Sequence, residues 1–555
     1  MGAPSARVAS ARPRCPDPPA VSRPVEALVP VRALIVVLAC LLGPAGATAA
    51  QAALPAVLPA ALRQALDAAG IAPGQVGLQV VPLATAGESA VAQATGAAQV
   101  AEAARTDATG APATAAHAAP ADEQAPPSGS AMPAGVRVAH QAELPLNPAS
   151  TMKLVTTHAA LALLGSDYRW RTTWLAAGRV VDGTLRGDLV LRGGGDPKLV
   201  VEDLVEQIAR LRAQGLHTIR GDLVLDDSLW AVPREAEPFD GEASQPYNVW
   251  PNAAMMNFKA VRVTVEPVQS RSVPMIGLDP PLAGVAVEND VVLTLGACRP
   301  ATVPLSVRDS GSDAAPAGVR VGGRWPAACG PQSLSAAVLS HRQFVQALFR
   351  ASWAAAGGRW TGQARWGETP RRAAVLLEWI SPRTLADVVR DVNKFSNNVM
   401  ARSLLLQIAA ERDRPPATAA AGAQTVRRWL ANERLHAPEL VIDNGSGLSR
   451  IERISAASMT ALLGHADSGV HAALLRDSLP VVGVDGTMAR RLRDEPVAGN
   501  AWIKSGSLAE VRSAAGYVTA ASGRRYALAI LINGPRAEAG GAVIDALLQW
   551  VYTEG

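Results

Sequence analysis

The chain has 555 residues, 49% of them apolar and 18% charged, with a formal net charge of +4. That length allows two to four domains, and the balance suits a well-cored globular protein. So small a charge, with no Lys/Arg stripe along any segment, excludes the electrostatic footprint of a nucleic-acid binder.

Residues 1–49 read as an export signal. Arg12, Arg14, Arg23 and Arg32 make a basic leader, residues 33–42 a short apolar core, Gly43-Pro44 a break, and Ala47-Thr48-Ala49 a small-residue cleavage site. The apolar core is too short to span a bilayer, and no later segment is long and apolar enough to do so. Cys40 lies inside the apolar core, which argues against a lipid-modified start. An exported, periplasmic protein without a transmembrane anchor is expected. Of the four cysteines, Cys15 and Cys40 leave with the signal, and Cys298 and Cys329 remain. An oxidising compartment permits a disulfide between them; two separate buried thiols are the alternative.

Residues 58–69 have helical apolar spacing, and 76–83 alternate as a strand. From 84 to 133 the sequence is Ala, Gly, Thr, Ser and Pro with almost no large apolar residue. Such a stretch cannot bury enough surface to offset its ordering entropy, so a disordered insertion between two strands is expected. A strand resumes at 136–140. Residues 150–164 form a helix, with Gly165 as its C-cap. Gly187-Asp188-Leu189-Val190-Leu191 recurs as Gly221-Asp222-Leu223-Val224-Leu225, which marks related strands of one small domain, with a helix at 199–215 between them. Residues 261–321 hold short alternating runs broken by Pro and Gly, a β-rich insert. A helix follows at 340–356. Ser381-Pro382 reads as a helix start, with the serine as N-cap and Leu385, Val388, Val389 and Val392 as the buried stripe. A second helix is expected at 398–409. A short strand at 502–505, a hairpin of 514–519 and 526–532 through Ser522-Gly523, and a helix at 542–551 close the chain.

Only five lysines occur, Lys153, Lys198, Lys259, Lys394 and Lys504, so their positions carry information. The arginine excess, with abundant alanine, reads as genome-wide codon bias. Lys153 closes Ser150-Thr151-Met152-Lys153. Lys394 precedes Ser396-Asn397-Asn398 by two residues, and Lys504 opens Lys504-Ser505-Gly506. S-x-x-K, S-x-N and K-S-G in this order belong to serine acyl-transfer enzymes that react with penicillin. Each triplet alone is common; the ordered set, each on a fitting element, is not.

The chemistry has a physical logic. Ser150 opens a helix, where backbone N–H groups and the dipole favour negative charge. Lys153 is three residues on, on the same face. A serine hydroxyl needs a base, and a lysine is one only when burial or a nearby cation lowers its pKa. Lys504 would be that cation. Ser396 would relay a proton to the leaving amine, and the Asn398 amide would hold a substrate peptide group. The strand at 504–507 would lie along the substrate. The N–H groups of Ser150 and Ser507 would form an oxyanion hole, whose donors contribute about 3–4 kcal/mol each. For Ser396 the bland reading, a cap between two helices, is compatible with the functional one.

Four segments carry a fuller resemblance: Pro148-Ala149-Ser150-Thr151-Met152-Lys153-Leu154, Asn393-Lys394-Phe395-Ser396-Asn397-Asn398, Asp443-Asn444-Gly445-Ser446-Gly447-Leu448-Ser449-Arg450, and Lys504-Ser505-Gly506-Ser507-Leu508. Together they resemble the class C low-molecular-mass penicillin-binding proteins, the D-alanyl-D-alanine carboxypeptidases/endopeptidases. Ser150 and Ser396 are 246 residues apart, room that compact β-lactamases lack and that this family fills with inserted domains. Tyr247-Asn248 and Asn257-Phe258 within the insert are also similar to the family. The resemblance implies an α+β multidomain chain. Its transpeptidase-like domain, an antiparallel sheet flanked by helices, would be divided between 50–172 and 375–555, with β-rich domains inserted at 173–374. It implies Ser150 as acylated nucleophile, Lys153 as base, Ser396 and Asn398 as second-motif residues, and Lys504, Ser505, Gly506 and Ser507 for carboxylate and oxyanion contacts. The substrate would be peptidoglycan stem peptides, with β-lactams as covalent inhibitors and no metal or cofactor. Two departures stand out: Ser505 stands where the family usually has Thr, and the Ala-rich 84–133 segment is unusual.

Competing readings remain at this level. A serine β-lactamase shares the motifs but needs a group that activates water for deacylation, and no E-x-x-L-N follows Ser396. A catalytically silent cell-wall-binding scaffold has no chemical reason to keep every triplet. None of the eight histidines forms H-E-x-x-H, and no G-x-S-x-G occurs, which disfavours zinc peptidases and α/β-hydrolases. Deleting residues 84–133 is expected to leave the thermal midpoint nearly unchanged; a fall of many degrees in a melting scan would show that the segment packs.

Overall fold

A computed structural model describes residues 58–84, 137–235, 237–268, 271–299, 305–309 and 317–555. The expected leader, and the Ala-rich segment beyond Ala84, lie outside the described residues.

Five antiparallel strands form the sheet that carries the candidate site. Their spatial order is Ala501–Leu508, Val511–Thr519, Arg525–Asn533, Val76–Pro82 and Val138–His140. The strand period of two divides their side chains between two cores. Leu78, Val80, Leu528, Ile530 and Ile532 pack with Leu62 and Leu66 of helix Ala60–Ala69 and with Val543, Leu547 and Val551 of helix Gly540–Glu554. Ala515, Ala527, Ala529 and Leu531 face the other way, into a core shared with Met152, Leu154 and Val155 of helix Met152–Leu164. Small residues on that face let the helix bearing the serine motif lie close to the sheet. Ala501–Leu508 is the edge strand of this sheet; residues 480–482 pair with its first half, where the Ile503 N–H donates to the Pro480 carbonyl at 2.8 Å and the Ala501 carbonyl accepts from the Val482 N–H at 2.9 Å.

The chain leaves this sheet-and-helix body and returns to it at adjacent points. Strand Arg171–Val181 pairs antiparallel with Ala374–Ile380, and Arg171 stands opposite Ile380. The cuts expected at 172/173 and 374/375 therefore fall inside a strand pair that belongs to the insert's seven-stranded sheet. The repeated pentapeptide supplies two neighbouring strands of that sheet: Leu189, Val190 and Leu191 pair in parallel register with Leu223, Val224 and Leu225. Helices Val201–Ala213 and His341–Ala355 pack on it through Leu204, Ile208, Phe344 and Leu348. Two three-stranded sheets complete the insert. Cys298 and Cys329 form a disulfide there. All described residues fall in one compact unit, Ala53–Gly555. No helix among them is long and apolar enough to cross a membrane.

One expected helix start is displaced. Helix Leu385–Lys394 is capped by Thr384, not Ser381. Thr384 Oγ1 accepts from the Asp387 N–H at 3.3 Å, and Asp387 Oδ2 accepts from the Thr384 N–H at 2.9 Å. This reciprocal capping box outcompetes the Ser-Pro signal. Ser381 instead ends the return crossing, buried, with its N–H donating to the Trp170 carbonyl at 2.9 Å. Thr384→Ala should lower unfolding free energy by about 1 kcal/mol in denaturant titration.

Candidate active site

Ser150 lies in a 3₁₀ turn, Ala149–Thr151, that runs straight into helix Met152–Leu164. The turn is tight, with Ala149 at φ +44°. It is pinned from three sides. The Asn147 N–H donates to Asn533 Oδ1 at 2.7 Å, and Asn147 Nδ2 donates to the Ser449 carbonyl at 2.8 Å. Ser513 Oγ donates to the Pro148 carbonyl at 2.6 Å. Two glycines make the close approach feasible. A Cβ on Gly447, whose φ is +82°, would stand 1.9 Å from the Ala149 carbonyl oxygen. A Cβ on Gly506 would stand 2.8 Å from both the Pro148 carbonyl oxygen and the Ser150 nitrogen. The loop at 443–449 and the edge strand therefore both close on the serine turn because they are bare at those points.

Lys153 is fully buried beside Ser150. Its Nζ is 2.9 Å from Ser150 Oγ and 2.7 Å from Asn398 Oδ1, and it also meets the Ser446 carbonyl. Burial first, then the charge of Lys504, holds its pKa well below the usual lysine value; Arg402 adds to the effect and Glu452 opposes it. The amide oxygen and the carbonyl can only accept. A neutral amine that donates one N–H to each therefore aims its lone pair at the Ser150 hydroxyl.

Lys504, also fully buried, donates to Ser396 Oγ and to the Ser505 carbonyl, both at 2.9 Å. Burial pushes its pKa down to about 7. Ser396 is held in the left-handed region at φ +57°. On one side Lys394 grips Asp485 with two contacts, 2.7 and 2.6 Å. On the other, Asn397 Oδ1 caps helix Asn398–Arg412 by accepting from the Met400 N–H at 3.0 Å. Ser505 Oγ is 3.2 Å from Thr487 Oγ1.

These groups open on a cavity of about 780 Å³. Ser150, Ser396, Asn398 and Ser507 line it, so the three motifs, far apart in sequence, meet at one wall. Asn398 has a role beyond the expected one: it accepts from Lys153 through Oδ1, and its Nδ2 donates to the Tyr247 carbonyl at 3.3 Å. The rest of the lining comes largely from residues that motif reading left unassigned. Asp240, Phe239 and Tyr247 arrive from the insert, and Arg450, Arg453 and Glu510 from loops around the sheet. Tyr247 Oη donates to Asp240 Oδ2 at 2.7 Å, and burial and that carboxylate push the phenol up to about 12. Tyr247 and Arg450 stood in quoted segments; Asp240 had no sequence signal.

The family described as D-Ala-D-Ala carboxypeptidase 3 (S13) matches residues 130–553, a span that contains every motif above. The chain belongs to the S13 family. It is 30% identical over 417 residues to a D-alanyl-D-alanine carboxypeptidase of Actinomadura sp. (strain R39), covering 72% of this chain and 76% of that protein. To D-alanyl-D-alanine carboxypeptidase DacB of Haemophilus influenzae it is 26% identical over 390 residues, covering 70% of this chain and 80% of the relative. The crystal structure of H. influenzae penicillin binding protein 4 superposes with a TM-score of 0.64 at 25% identity, covering 75% of this chain and 93% of that one. The same protein complexed with a β-lactam superposes at 0.61. The fold of this S13 chain is thus the α+β multidomain, penicillin-binding type, and the expectation from the four motif segments holds.

Gly447→Ala has no space for its methyl group and should cut penicillin acylation by at least about tenfold, because it displaces the serine turn. Acylation rates of the two proteins, with circular dichroism as the control for folding, check this.

Proposed function

We propose that this S13 chain is a serine-type D-Ala-D-Ala carboxypeptidase/endopeptidase that acts on peptidoglycan stem peptides through an acyl-enzyme at Ser150. The observation that carries the assignment is the buried Lys153 amine, 2.9 Å from Ser150 Oγ, with acceptor-only partners on its other side. Neutral Lys153 takes the hydroxyl proton as Oγ attacks the carbonyl carbon of the penultimate D-Ala. The N–H groups of Ser150 and Ser507 receive the developing oxyanion. As the C–N bond breaks, the proton reaches the departing D-Ala nitrogen by way of Ser396, which Lys504 holds through its hydroxyl oxygen. Water then attacks the ester and frees Ser150. Lys504, Ser505 and the Gly506 backbone are the contacts for the substrate's terminal carboxylate. In an endopeptidase cycle the departing amine belongs to the neighbouring stem peptide, and the same cavity holds it.

A β-lactam enters the same chemistry, with one difference. Its leaving nitrogen stays tethered to the acyl group and remains in the cavity, which blocks the approach of water. Inhibition therefore follows from the catalytic cycle itself. The leader at 1–49 and the Cys298–Cys329 disulfide support a place outside the cytoplasm, in the periplasm.

Fluorescent penicillin tests the proposal. The wild type should form a long-lived adduct, Ser150→Ala none, and the wild type should release D-Ala from a D-Ala-D-Ala peptide. An adduct that vanishes within seconds would instead indicate a β-lactamase. No adduct on folded wild type would sink the nucleophile assignment.

A further inference from the structure

The loop at 443–451 has a fully buried carboxylate beneath it that the mechanism above does not use. The loop is closed at its base, where Val441 and Arg453 bridge, and the neighbouring Ile454 bridges to Leu146, four residues before Ser150. From this base the Glu452 side chain turns inward. Its Oε1 accepts from three successive N–H groups, those of Asp443, Asn444 and Gly445, at 3.2, 3.0 and 2.7 Å. Successive N–H groups gathered on one oxygen form an anion nest, and a carboxylate in it makes charge-assisted bonds. The last residue of this nest and the one after it both meet the serine helix. The Gly445 carbonyl accepts from Thr156 Oγ1 of the serine helix at 2.6 Å, and the Ser446 carbonyl accepts from Lys153 Nζ.

The second oxygen of the same carboxylate, Oε2, is buried with no hydrogen-bond partner. A lone acceptor in a low-dielectric interior is costly, so it calls for a compensating interaction. Three buried basic side chains lie close enough to act on one another and on this carboxylate's neighbourhood. Lys153 projects from the serine helix, Lys504 from the edge strand and Arg402 from helix Asn398–Arg412; Lys153 and Lys504 are fully buried and Arg402 is nearly so. Arg402 has its Nη1 on the Val249 carbonyl at 3.3 Å and a buried Nε without a partner. Burial pushes the Glu452 carboxyl above the usual carboxylate range, the three N–H bonds draw it back, and Asp443, on the loop, is the other acidic group that acts on it and on Arg402.

We propose that Glu452 is a positioning residue of the acyl-transfer site, which shapes the loop that orients Lys153 and holds behind that lysine the negative charge governing when its amine is free to act. Two consequences follow from the geometry. Without the three N–H bonds, the backbone that places the Ser446 carbonyl on Nζ is left to the Asn444 side chain, which accepts from the Ser446 N–H, and to Thr156 Oγ1. Without the charge, the protonated amine of Lys153 loses a buried counterweight, and the base form prevails at lower pH. The direction agrees with the electrostatics of Lys153, where Glu452 acts against burial, Lys504 and Arg402.

The inference rests on Lys153 being the base, so its test separates the two claims. The rate of acylation by fluorescent penicillin is followed from acid to neutral pH for wild type, Glu452→Gln, Glu452→Asp and Lys153→Ala, with melting scans alongside. Glutamine keeps an acceptor oxygen for the nest but no charge. Removing an anion lowers the pH at which Lys153 is neutral, so the acid limb of Glu452→Gln should move down by about one pH unit, near tenfold in rate at the low-pH end. Glu452→Asp keeps the charge on a shorter arm; its limb should stay in place while its rate falls. Coincident limbs for wild type and Glu452→Gln would overturn the proposal, as would an equal shift in both variants, which would reveal packing rather than charge. Labelling of Lys153→Ala at the wild-type rate would instead show that the base assignment itself had failed.

Discussion

The site depends on the burial of an amine. Lys153 stands where the serine helix, the sheet and the loop at 443–449 meet, with no exposed surface. A buried ammonium is expensive, and a second one nearby makes it more so. Lys504, equally buried and drawn down to about 7, is that neighbour. Neutrality of Lys153 is thus a result of placement. Packing that brings the alanine face of the sheet against the serine helix also removes the water that would otherwise keep the amine charged. Catalytic competence and core packing rest here on the same contacts, and a loosened core would change the chemistry before it unfolded the protein.

The insert is more than a passenger on this body. It leaves and returns through one strand pair, so its attachment disturbs the five-stranded sheet very little. It also reaches back. The Tyr247 carbonyl accepts from the Asn398 amide, and Asp240 and Tyr247 line the same cavity as Ser150. The Asn398 side chain therefore joins Lys153, on one side, to the insert, on the other.

Much of this could be read from the sequence, for a physical reason. In a chain that uses arginine for its surface charge, a lysine marks a place where a compact amine is required. All five lysines lie largely inside: Lys153 and Lys504 are completely buried, and the side chains of Lys394, Lys259 and Lys198 are 6, 11 and 28% exposed. Periodicity located the strands of the five-stranded sheet and many of the helices, but gave no reading of the helices Ala419–Asn432 and Ala456–Ser468. It failed at Ser381, where two capping signals three residues apart competed and the strand crossing decided between them. It could not find Glu452, Arg402 or Asp240. Their roles come from what lies across a loop or a domain boundary, and neither spacing nor composition records that. The repeated pentapeptide was visible as a repeat, but its parallel register needed the fold.

The second motif shows how densely a short segment can be used. Lys394 clamps Asp485, whose Oδ1 also accepts from the Val481 N–H at 2.8 Å, so the motif is tied to the segment entering the edge strand. Ser396 adopts a left-handed backbone that costs a non-glycine residue on the order of 1–3 kcal/mol and persists only where the surroundings over-determine it. Here they do: the clamp lies two residues before it and the Asn397 cap one residue after. Asn398 then begins the helix and turns its amide to Lys153. The S-x-N spacing follows from this sequence of tasks. The serine must lie outside the helix to face Lys504, the cap must follow it, and the amide that meets Lys153 must be the first residue inside. Shifting any one of them by a position would aim the serine or the amide away from the lysine it serves.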